Sequence, residues 1–279
     1  MTSKLRVPCA YQGGKQRIAD QIVDRLLHAS IGANSSFYDL CCGSGAISIE
    51  LINRGIRSSQ IIMLDISSWG SFWHAIGSDC FNMDIFEHYL TELPHNKKEI
   101  KEYLKELAGR PIVKNEAELY PILQSCSFGG KQIWRNGDAW QSPFFRDYWE
   151  PTAASVRRSP ANPMQPSSVE LRSRVKAIAK KMVGVTCHHS DIEVILETPL
   201  PHNAVAYIDP PYCQTTGYGF SFDLQKFIEK FKKLNPTIPL FVSEASPLNS
   251  SAELLNLNGA NGGISGLRKS KHQEWLSLF

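Results

Sequence analysis

The chain has 279 residues, of which 42% are hydrophobic and 20% charged, and its formal net charge is +3. This length and composition can bury a full α/β core and one inserted lobe. No apolar run approaches the length of a membrane span and the N-terminus lacks a signal-peptide pattern, so we expect a cytoplasmic protein. The seven cysteines, at scattered positions, predict neither a disulfide framework nor a metal site.

The first predicted elements are a helix and a strand that ends in a glycine-rich turn. Residues 16–28 carry apolar side chains at helical spacing and follow the segment Tyr11-Gln12-Gly13-Gly14-Lys15. Phe37-Tyr38-Asp39-Leu40 is typical of a strand, and it enters the turn Cys41-Cys42-Gly43-Ser44-Gly45 before a second helix. Glycines in such a turn let a ligand approach the backbone closely.

The second strand supplies a candidate ribose-binding acid. The apolar run of residues 60–64 ends in Asp65, twenty residues after Gly45. A nucleotide-binding sheet places at this position the acid that accepts hydrogen bonds from ribose hydroxyls. The third glycine of the dinucleotide fingerprint is missing, since Ala46, Ile47 and Ser48 follow Gly45. No pyrophosphate need be bound, and the pattern therefore favours an adenosine-type cofactor.

After Asp65 the regular alternation of strands and helices stops, and residues 67–182 have the character of an insertion. Asn136-Gly137-Asp138 predicts a tight turn between strands at 132–134 and 139–141. The prolines of residues 151–168 surround Arg157 and Arg158 and predict a mobile basic loop. Residues 131–180 hold nine Lys or Arg against four acids, and three of the six tryptophans, which suits contacts with nucleic acid.

The most informative segment is Asp209-Pro210-Pro211-Tyr212, directly after the apolar run of residues 204–208. Each proline disfavours helical geometry in the residue before it, so the strand must end there with polar groups left over. The Asp209 carboxylate and the Pro210 carbonyl can together accept both hydrogens of one planar amino group, while Tyr212 can stack on the ring that carries it. The alternative is a Pro-Pro turn that merely ends a buried strand.

Four blocks of the chain, in order and in spacing, resemble the N6-adenine DNA methyltransferases of the bacterial and phage DNA adenine methylase family. The blocks are residues 11–15, 39–45, 127–144 and 209–212. The resemblance implies a Rossmann-like class I S-adenosylmethionine-dependent methyltransferase domain formed by residues 1–66 and 183–279. Residues 67–182 would then be an inserted target-recognition lobe. Double-stranded DNA is the implied partner, in the cytoplasm of a bacterium or of a phage-infected cell.

The resemblance also implies a reaction and assigns roles to residues. A methyl group passes directly from S-adenosylmethionine to adenine N6 after the base is flipped out of the duplex. The assigned catalytic residues are Asp209, Pro210, Pro211 and Tyr212. The assigned cofactor-binding residues are Tyr11, Gly13, Gly14, Lys15, Asp39, Gly43, Gly45, Asp65 and Asp191. The assigned DNA-binding residues are Lys131, Trp134, Arg135, Asn136, Arg157 and Arg158.

One of these assignments and one further motif leave alternatives open. Asp191, or Ser190 before it, can instead cap the short helix predicted at residues 192–196. The run Cys187-His188-His189 permits a zinc interpretation, but a second ligand pair at the usual spacing is missing from the sequence.

Three rival functions remain compatible with the sequence. N4-cytosine methylation uses the same direct chemistry on a similar amine, and the tetrapeptide does not exclude it. RNA or protein-glutamine methylation fits less well, because residues 127–144 resemble a reader of duplex DNA. A DNA-binding module without catalysis is the third, against which the intact acids Asp39, Asp65 and Asp209 argue.

Overall fold

The computed structural model describes residues 4–111, 114–137, 139–141, 144–210, 222–257 and 273–279. Within these ranges the helices are α1 (Ala19–Ala29), α2 (Ala46–Asn53), α3 (Ser68–Gly77), α4 (Met83–Thr91), α5 (Ile100–Gly109), α6 (Glu116–Ser125), α7 (Ser168–Lys181) and α8 (Leu224–Leu234). The strands are β1 (Ser36–Leu40), β2 (Ile61–Leu64), β3 (Trp134–Asn136), β4 (Ala139–Gln141), β5 (Thr186–His188), β6 (Ala204–Ile208), β7 (Leu240–Glu244), β8 (Glu253–Leu254) and β9 (Trp275–Leu278). None of the described helices combines the length and the apolar character needed to cross a bilayer.

Seven strands form one sheet in the order β5-β2-β1-β6-β7-β9-β8. β1 pairs in parallel with β2 and β6, and β5 and β7 extend this parallel set on its two sides. β9 runs antiparallel to both of its neighbours, β7 and β8. A mostly parallel sheet with this strand order and this one reversed strand is the Rossmann-like methyltransferase fold. The predicted fold class is therefore confirmed.

The centre of the sheet forms because its strands are apolar on both faces. All five residues of β6 are buried, as parallel strands covered by helices on both sides require. One hydrophobic cluster joins Val205 and Tyr207 to α1, α2 and α3. The other joins the alternate β6 residues to Phe227 and Phe231 of α8. With both faces occupied by apolar packing, acidic side chains such as Asp65 and Asp209 are left at the carboxyl ends of the strands.

The first helix after β2, α3, packs against the sheet. A Cβ atom at Gly70 would lie 2.2 Å from the carbonyl oxygen of Asp65, and one at Gly77 would lie 2.1 Å from that of Val185. Only glycine at these two positions lets α3 approach the segment that leaves β2 and the segment that enters β5. The insertion predicted to begin at residue 67 thus starts with a helix that packs on the sheet, and the domain boundary stays a prediction.

Aromatic side chains connect the hairpin to the rest of the molecule. Trp69 of α3 contacts Tyr120 of α6 edge-on, with ring centroids 5.0 Å apart. Tyr120 stacks in turn on Trp140 of β4 at a centroid distance of 5.5 Å, and the Arg135 guanidinium lies 5.3 Å from the Trp140 ring centroid. Because these rings are in successive contact, the position of the hairpin is set by α3 and α6.

The first strand of the hairpin differs from its prediction by two residues. It spans Trp134–Asn136 instead of residues 132–134, and it pairs antiparallel with Ala139–Gln141. The backbone N–H of Ile133 donates to Gln124 Oε1 at 3.1 Å. This group is therefore unavailable for pairing with a second strand, which explains why the hairpin begins only after Ile133.

Candidate active site

A cavity opens at the carboxyl ends of β1, β2 and β6. Asp209, the first residue after β6, lines it. Eight of the nine residues assigned to the cofactor also line it, namely Tyr11, Gly13, Gly14, Lys15, Asp39, Gly43, Asp65 and Asp191. Residues distant in the sequence are thus brought to one edge of the sheet, as a Rossmann-like fold predicts for its ligand site. Pro210 is buried beside Asp209, while Pro211 and Tyr212 lie outside the described residues.

Asp39 binds the first turn of α2. Its Oδ2 atom accepts hydrogen bonds from the Ser48 backbone N–H at 3.2 Å and from the Ser48 hydroxyl at 2.6 Å. Only 2% of Asp39 is exposed. Burial raises the pKa of this carboxyl to about 7, although the two hydrogen bonds from Ser48 oppose the rise. Asp39 therefore fixes the helix that follows the glycine turn and also forms part of the cavity wall.

Asp65 already holds three protein donors. Its Oδ2 atom accepts from the Gly43 backbone N–H at 2.7 Å, and Oδ1 accepts from the backbone N–H and the hydroxyl of Ser67. Burial raises the pKa of Asp65, against these hydrogen bonds. A carboxylate has about four lone-pair sites on its two oxygens, so one site on Oδ2 remains for a ligand hydroxyl. A second ligand hydroxyl would have to take the place of the Ser67 hydroxyl.

The two glycines of the turn have different reasons to be glycine. A Cβ atom at Gly43 would lie 2.9 Å from the Tyr11 ring, and Gly43 lines the cavity. Gly45 has φ +74°, and a Cβ atom there would lie 2.3 Å from the Trp73 indole. Gly45 is not among the residues that line the cavity, and the cofactor contact assigned to it from the sequence stays a prediction. Packing against Trp73 explains why this position is glycine.

Asp209 is held by a buried lysine. Lys15 Nζ lies 2.6 Å from Asp209 Oδ1 and 3.5 Å from Glu274 Oε1, and it donates to the Gly13 carbonyl at 3.0 Å. Burial lowers the pKa of Lys15, but Asp209 and Glu274 together raise it above its usual value. Burial also raises the pKa of Asp209 to about 6, against the attraction of Lys15. At pH 8 both groups are charged, and the carboxylate is fixed in position.

A third acid stands near this pair. Glu244, the last residue of β7, is 7% exposed, and its Oε2 atom is buried without a hydrogen-bond partner among the described residues. Burial raises the pKa of Glu244, as does the neighbouring Glu274. The contact of Glu274 with Lys15 was not predicted. In the sequence, the one indication of it was that an acid directly precedes the short strand β9.

Asp191 combines the two roles that the sequence left open. Its side chain accepts a hydrogen bond from the Glu193 backbone N–H at 2.9 Å and caps the 3₁₀ helix Ile192–Leu196. The same residue lines the cavity. Capping uses Oδ1 alone, so the cap and a ligand contact are compatible. Among the described residues, no cluster of His, Cys, Asp or Glu has the arrangement of a metal site.

The residues assigned to DNA binding lie within residues 131–158 and do not line the cavity. Lys131 is exposed, with Nζ 5.9 Å from the Phe144 ring centroid. Trp134 is half-buried, and Arg135 donates to the Gly137 carbonyl at 2.7 Å. The backbone of Asn136 pairs with Ala139. The exposed guanidinium groups of Arg157 and Arg158 donate to carbonyl groups of their own loop, those of Pro160 and Ala153.

Comparisons with known proteins identify no family for this chain. No protein-family model matches it, and no curated protein matches it. One solved structure that is similar to it is the rRNA methyltransferase aviRa from Streptomyces viridochromogenes. The identity is 15%, the match covers 96% of this chain and 86% of that chain, and the TM-score is 0.40. This distant likeness identifies no substrate, so the function has to be argued from the site.

Proposed function

We propose that the protein is an S-adenosylmethionine-dependent methyltransferase that methylates the N6 amino group of adenine in duplex DNA. One observation carries the proposal. The Asp209 carboxylate at the end of β6 opens on the same cavity as Asp65 and the Gly43 turn. A receptor for an amino group and a site suited to an adenosine cofactor are therefore adjacent.

The lining of the cavity fits the cofactor. The strand order β5-β2-β1-β6 brings Asp191, Asp65, the Gly43 turn and Asp209 side by side along one edge. We assign Asp191 to the adenine of the cofactor, the open site on Asp65 Oδ2 to its ribose, and the Gly43 turn to its methionine part. S-adenosylmethionine, when bound, supplies a methyl group on a positively charged sulfur. The end of the site near Asp209 is where the acceptor amine would enter.

Asp209 and Pro210 are assigned to the acceptor amine. Lys15 Nζ lies 2.6 Å from Asp209 Oδ1, so we assign the other oxygen, Asp209 Oδ2, to the amine. The nitrogen of an aromatic amine is a poor nucleophile, because its lone pair is delocalised into the ring. Hydrogen bonds from its two hydrogens to Asp209 Oδ2 and to the Pro210 carbonyl favour a pyramidal nitrogen and aim the lone pair at the methyl group.

The fixed negative charge of Asp209 also stabilises the transition state. The amine nitrogen gains positive charge as its bond to the methyl carbon forms and the carbon–sulfur bond breaks. A carboxylate held beside that nitrogen stabilises this charge more than it stabilises the neutral amine. The methylated nitrogen then loses one proton to water. Asp209 therefore has to be ionised, but it need not act as a strong base.

The surface of the lobe supports DNA as the carrier of the base. Phe128 and Phe144 are 56% and 64% exposed, and the Phe128 backbone N–H donates to the Phe144 carbonyl at 2.6 Å, so these two residues are neighbours. Lys131 lies over the Phe144 ring. Exposed rings beside a cation suit stacking on bases and contact with phosphates. Arg157 and Arg158 provide further exposed positive charge on the same lobe.

Nucleoside analysis of methylated DNA tests the proposal. The purified protein is incubated with tritiated S-adenosylmethionine and, in separate reactions, duplex DNA or RNA, and the nucleic acid is then digested to nucleosides. We expect label in N6-methyl-2′-deoxyadenosine from the DNA reaction, reduced at least about a hundredfold by Asp209→Asn. Label in N4-methyl-2′-deoxycytidine would favour the second candidate, cytosine methylation, because the amine contacts at Asp209 and Pro210 fit both bases. Label in the RNA reaction alone would refute the proposal.

A further inference from the structure

Gln132 reaches the cavity from the inserted lobe, two residues before β3. Only 3% of Gln132 is exposed, and its Oε1 atom is buried without a hydrogen-bond partner among the described residues. A buried acceptor without a partner destabilises a protein by an amount comparable to a lost hydrogen bond. Because Gln132 is one of the residues that line the cavity, a ligand that supplies the donor would explain this oxygen.

The position of Gln132 is fixed on both sides by one buried residue. Gln124 Oε1 accepts from the backbone N–H of Ile133 at 3.1 Å, and Gln124 Nε2 donates to the carbonyl of Lys131 at 2.9 Å. Gln124 itself is 1% exposed. The peptide groups before and after Gln132 are thus both bound to a side chain of α6. The unpartnered oxygen belongs to a preorganised segment and not to a loose surface loop.

The neighbours of this segment indicate which part of the cavity it borders. The Gly130 carbonyl accepts from the Gln12 backbone N–H at 2.7 Å. The ring of the adjacent Tyr11 covers Gly43 in the turn after β1. Gln132 therefore enters the cavity beside the glycine turn, which lies between the ribose acid Asp65 and Asp209 in the order of the strands.

The charge of the cavity lining indicates which ligand group donates to Gln132 Oε1. Four carboxyl groups line the cavity, and they face one lysine among the described lining residues, Lys15. An excess of negative charge suits a cationic ligand group. Resting on the proposed function, we propose that Gln132 is a specificity-determining residue for the cofactor, whose side-chain oxygen accepts a hydrogen bond from the α-ammonium group of S-adenosylmethionine.

Calorimetric binding of two ligands tests this assignment without turnover. S-adenosylhomocysteine carries the α-ammonium group, and 5′-methylthioadenosine shares its thionucleoside part but lacks the amino acid. Gln132→Met keeps the length of the side chain and removes the acceptor. Since a hydrogen bond from a charged donor contributes about 1.5–3 kcal/mol, we expect S-adenosylhomocysteine to bind about 10- to 150-fold more weakly. Binding of 5′-methylthioadenosine should stay within about twofold of the wild type.

Two further variants separate recognition from a structural role. Gln132→Glu keeps an acceptor for the ammonium group, and its affinity for S-adenosylhomocysteine should exceed that of Gln132→Met. Gln225→Met, on the exposed face of α8, is the matched control and should leave both affinities unchanged. Gln132→Met should also raise the melting temperature of the free protein by about 2–4 °C, because it removes an unpartnered buried acceptor. A residue needed only for structure would lower it.

The outcomes distinguish this inference from the proposed function. If the wild type binds no S-adenosylhomocysteine, the proposed function fails, and the inference fails with it. If the wild type binds it and Gln132→Met binds it equally well, the assignment of Gln132 is refuted while the function stands. Unchanged cofactor affinity combined with a higher KM for DNA would show that Gln132 contacts the target base, which also refutes the assignment. Equal losses for both ligands would refute it as well.

Discussion

Gly45→Ala tests the packing that holds the glycine turn against α3. Gly45 has φ +74°, and a Cβ atom there would lie 2.3, 2.8 and 2.9 Å from three atoms of the Trp73 indole. Ordinary van der Waals contact begins near 3.4 Å, so the indole would have to retreat by about 1 Å. Trp73 is fully buried, and its Nε1 donates to the Gly43 carbonyl at 2.8 Å. The retreat therefore costs both packing and a hydrogen bond.

The magnitude follows from two contributions. A left-handed backbone costs an L-residue about 1–2 kcal/mol, and overpacking of a tight core costs about 1–3 kcal/mol. Gly45→Ala should thus lower the free energy of unfolding by about 2–5 kcal/mol. Gly55 is a matched control, because its φ is +88° and a Cβ atom there would meet nothing within 4 Å. Gly55→Ala should cost only the backbone contribution.

Urea denaturation at 25 °C measures both variants, with the m-value as a check on two-state unfolding. The double variant Gly45→Ala, Trp73→Phe completes a double-mutant cycle. It should show a coupling energy of about 1 kcal/mol or more, because the smaller ring relieves part of the overlap. Equal costs for Gly45→Ala and Gly55→Ala, together with no coupling to Trp73, would refute the reasoning.

Four further predictions concern the site and the lobe. Asp209→Asn should lower methyl transfer at least about a hundredfold while calorimetry shows cofactor affinity within about threefold of the wild type; retained turnover would contradict the role of Asp209. Because burial raises the pKa of Asp209 to about 6 and the ionised form is required, kcat/KM should rise with pH through that value and then level off; a flat profile from acid to neutral pH would oppose this. Burial raises the pKa of the Asp39 carboxyl from 3.8 to about 7, so between these two pH values the native state binds a proton that the unfolded state has lost. The stability that this proton provides is therefore lost as the pH rises from 3.8 to about 7, by up to about 4 kcal/mol. Asp39→Asn should remove this loss from the free energy of unfolding measured in urea at acid and neutral pH, and an unchanged pH dependence would count against the reasoning. Replacing both Arg157 and Arg158 by Gln should reduce the slope of log Kd for DNA against log salt concentration by about 2. Filter binding at several salt concentrations measures this slope, and an unaltered slope would contradict the DNA contact of these two residues.

Local patterns were sufficient to predict the elements that carry the site. The apolar run before Asp209, the turn from Asp39 to Gly45 and the acid Asp65 follow from hydrophobic periodicity and from the conformational limits of proline and glycine, which act over a few residues. The carboxyl ends of parallel strands meet at one edge of a sheet. For this reason the shared cavity was predictable once the strands were.

Other features depend on which elements pack together. Lys15, Asp209 and Glu274 are far apart in the chain, and only the sheet order places Lys15 Nζ within 2.6 Å of one carboxylate and 3.5 Å of the other. The sequence likewise could not reveal that the Trp73 indole packs against Gly45.

The same holds for Gln132, whose unpartnered oxygen is defined by its surroundings in the fold. The sequence by itself determined the strands, the glycine turn and the acids at the strand ends, because short-range sterics and hydrophobic periodicity are written into neighbouring residues. The tertiary structure alone decided which side chains share hydrogen bonds, charge and volume, because these contacts join segments whose separation in the chain carries no local signal.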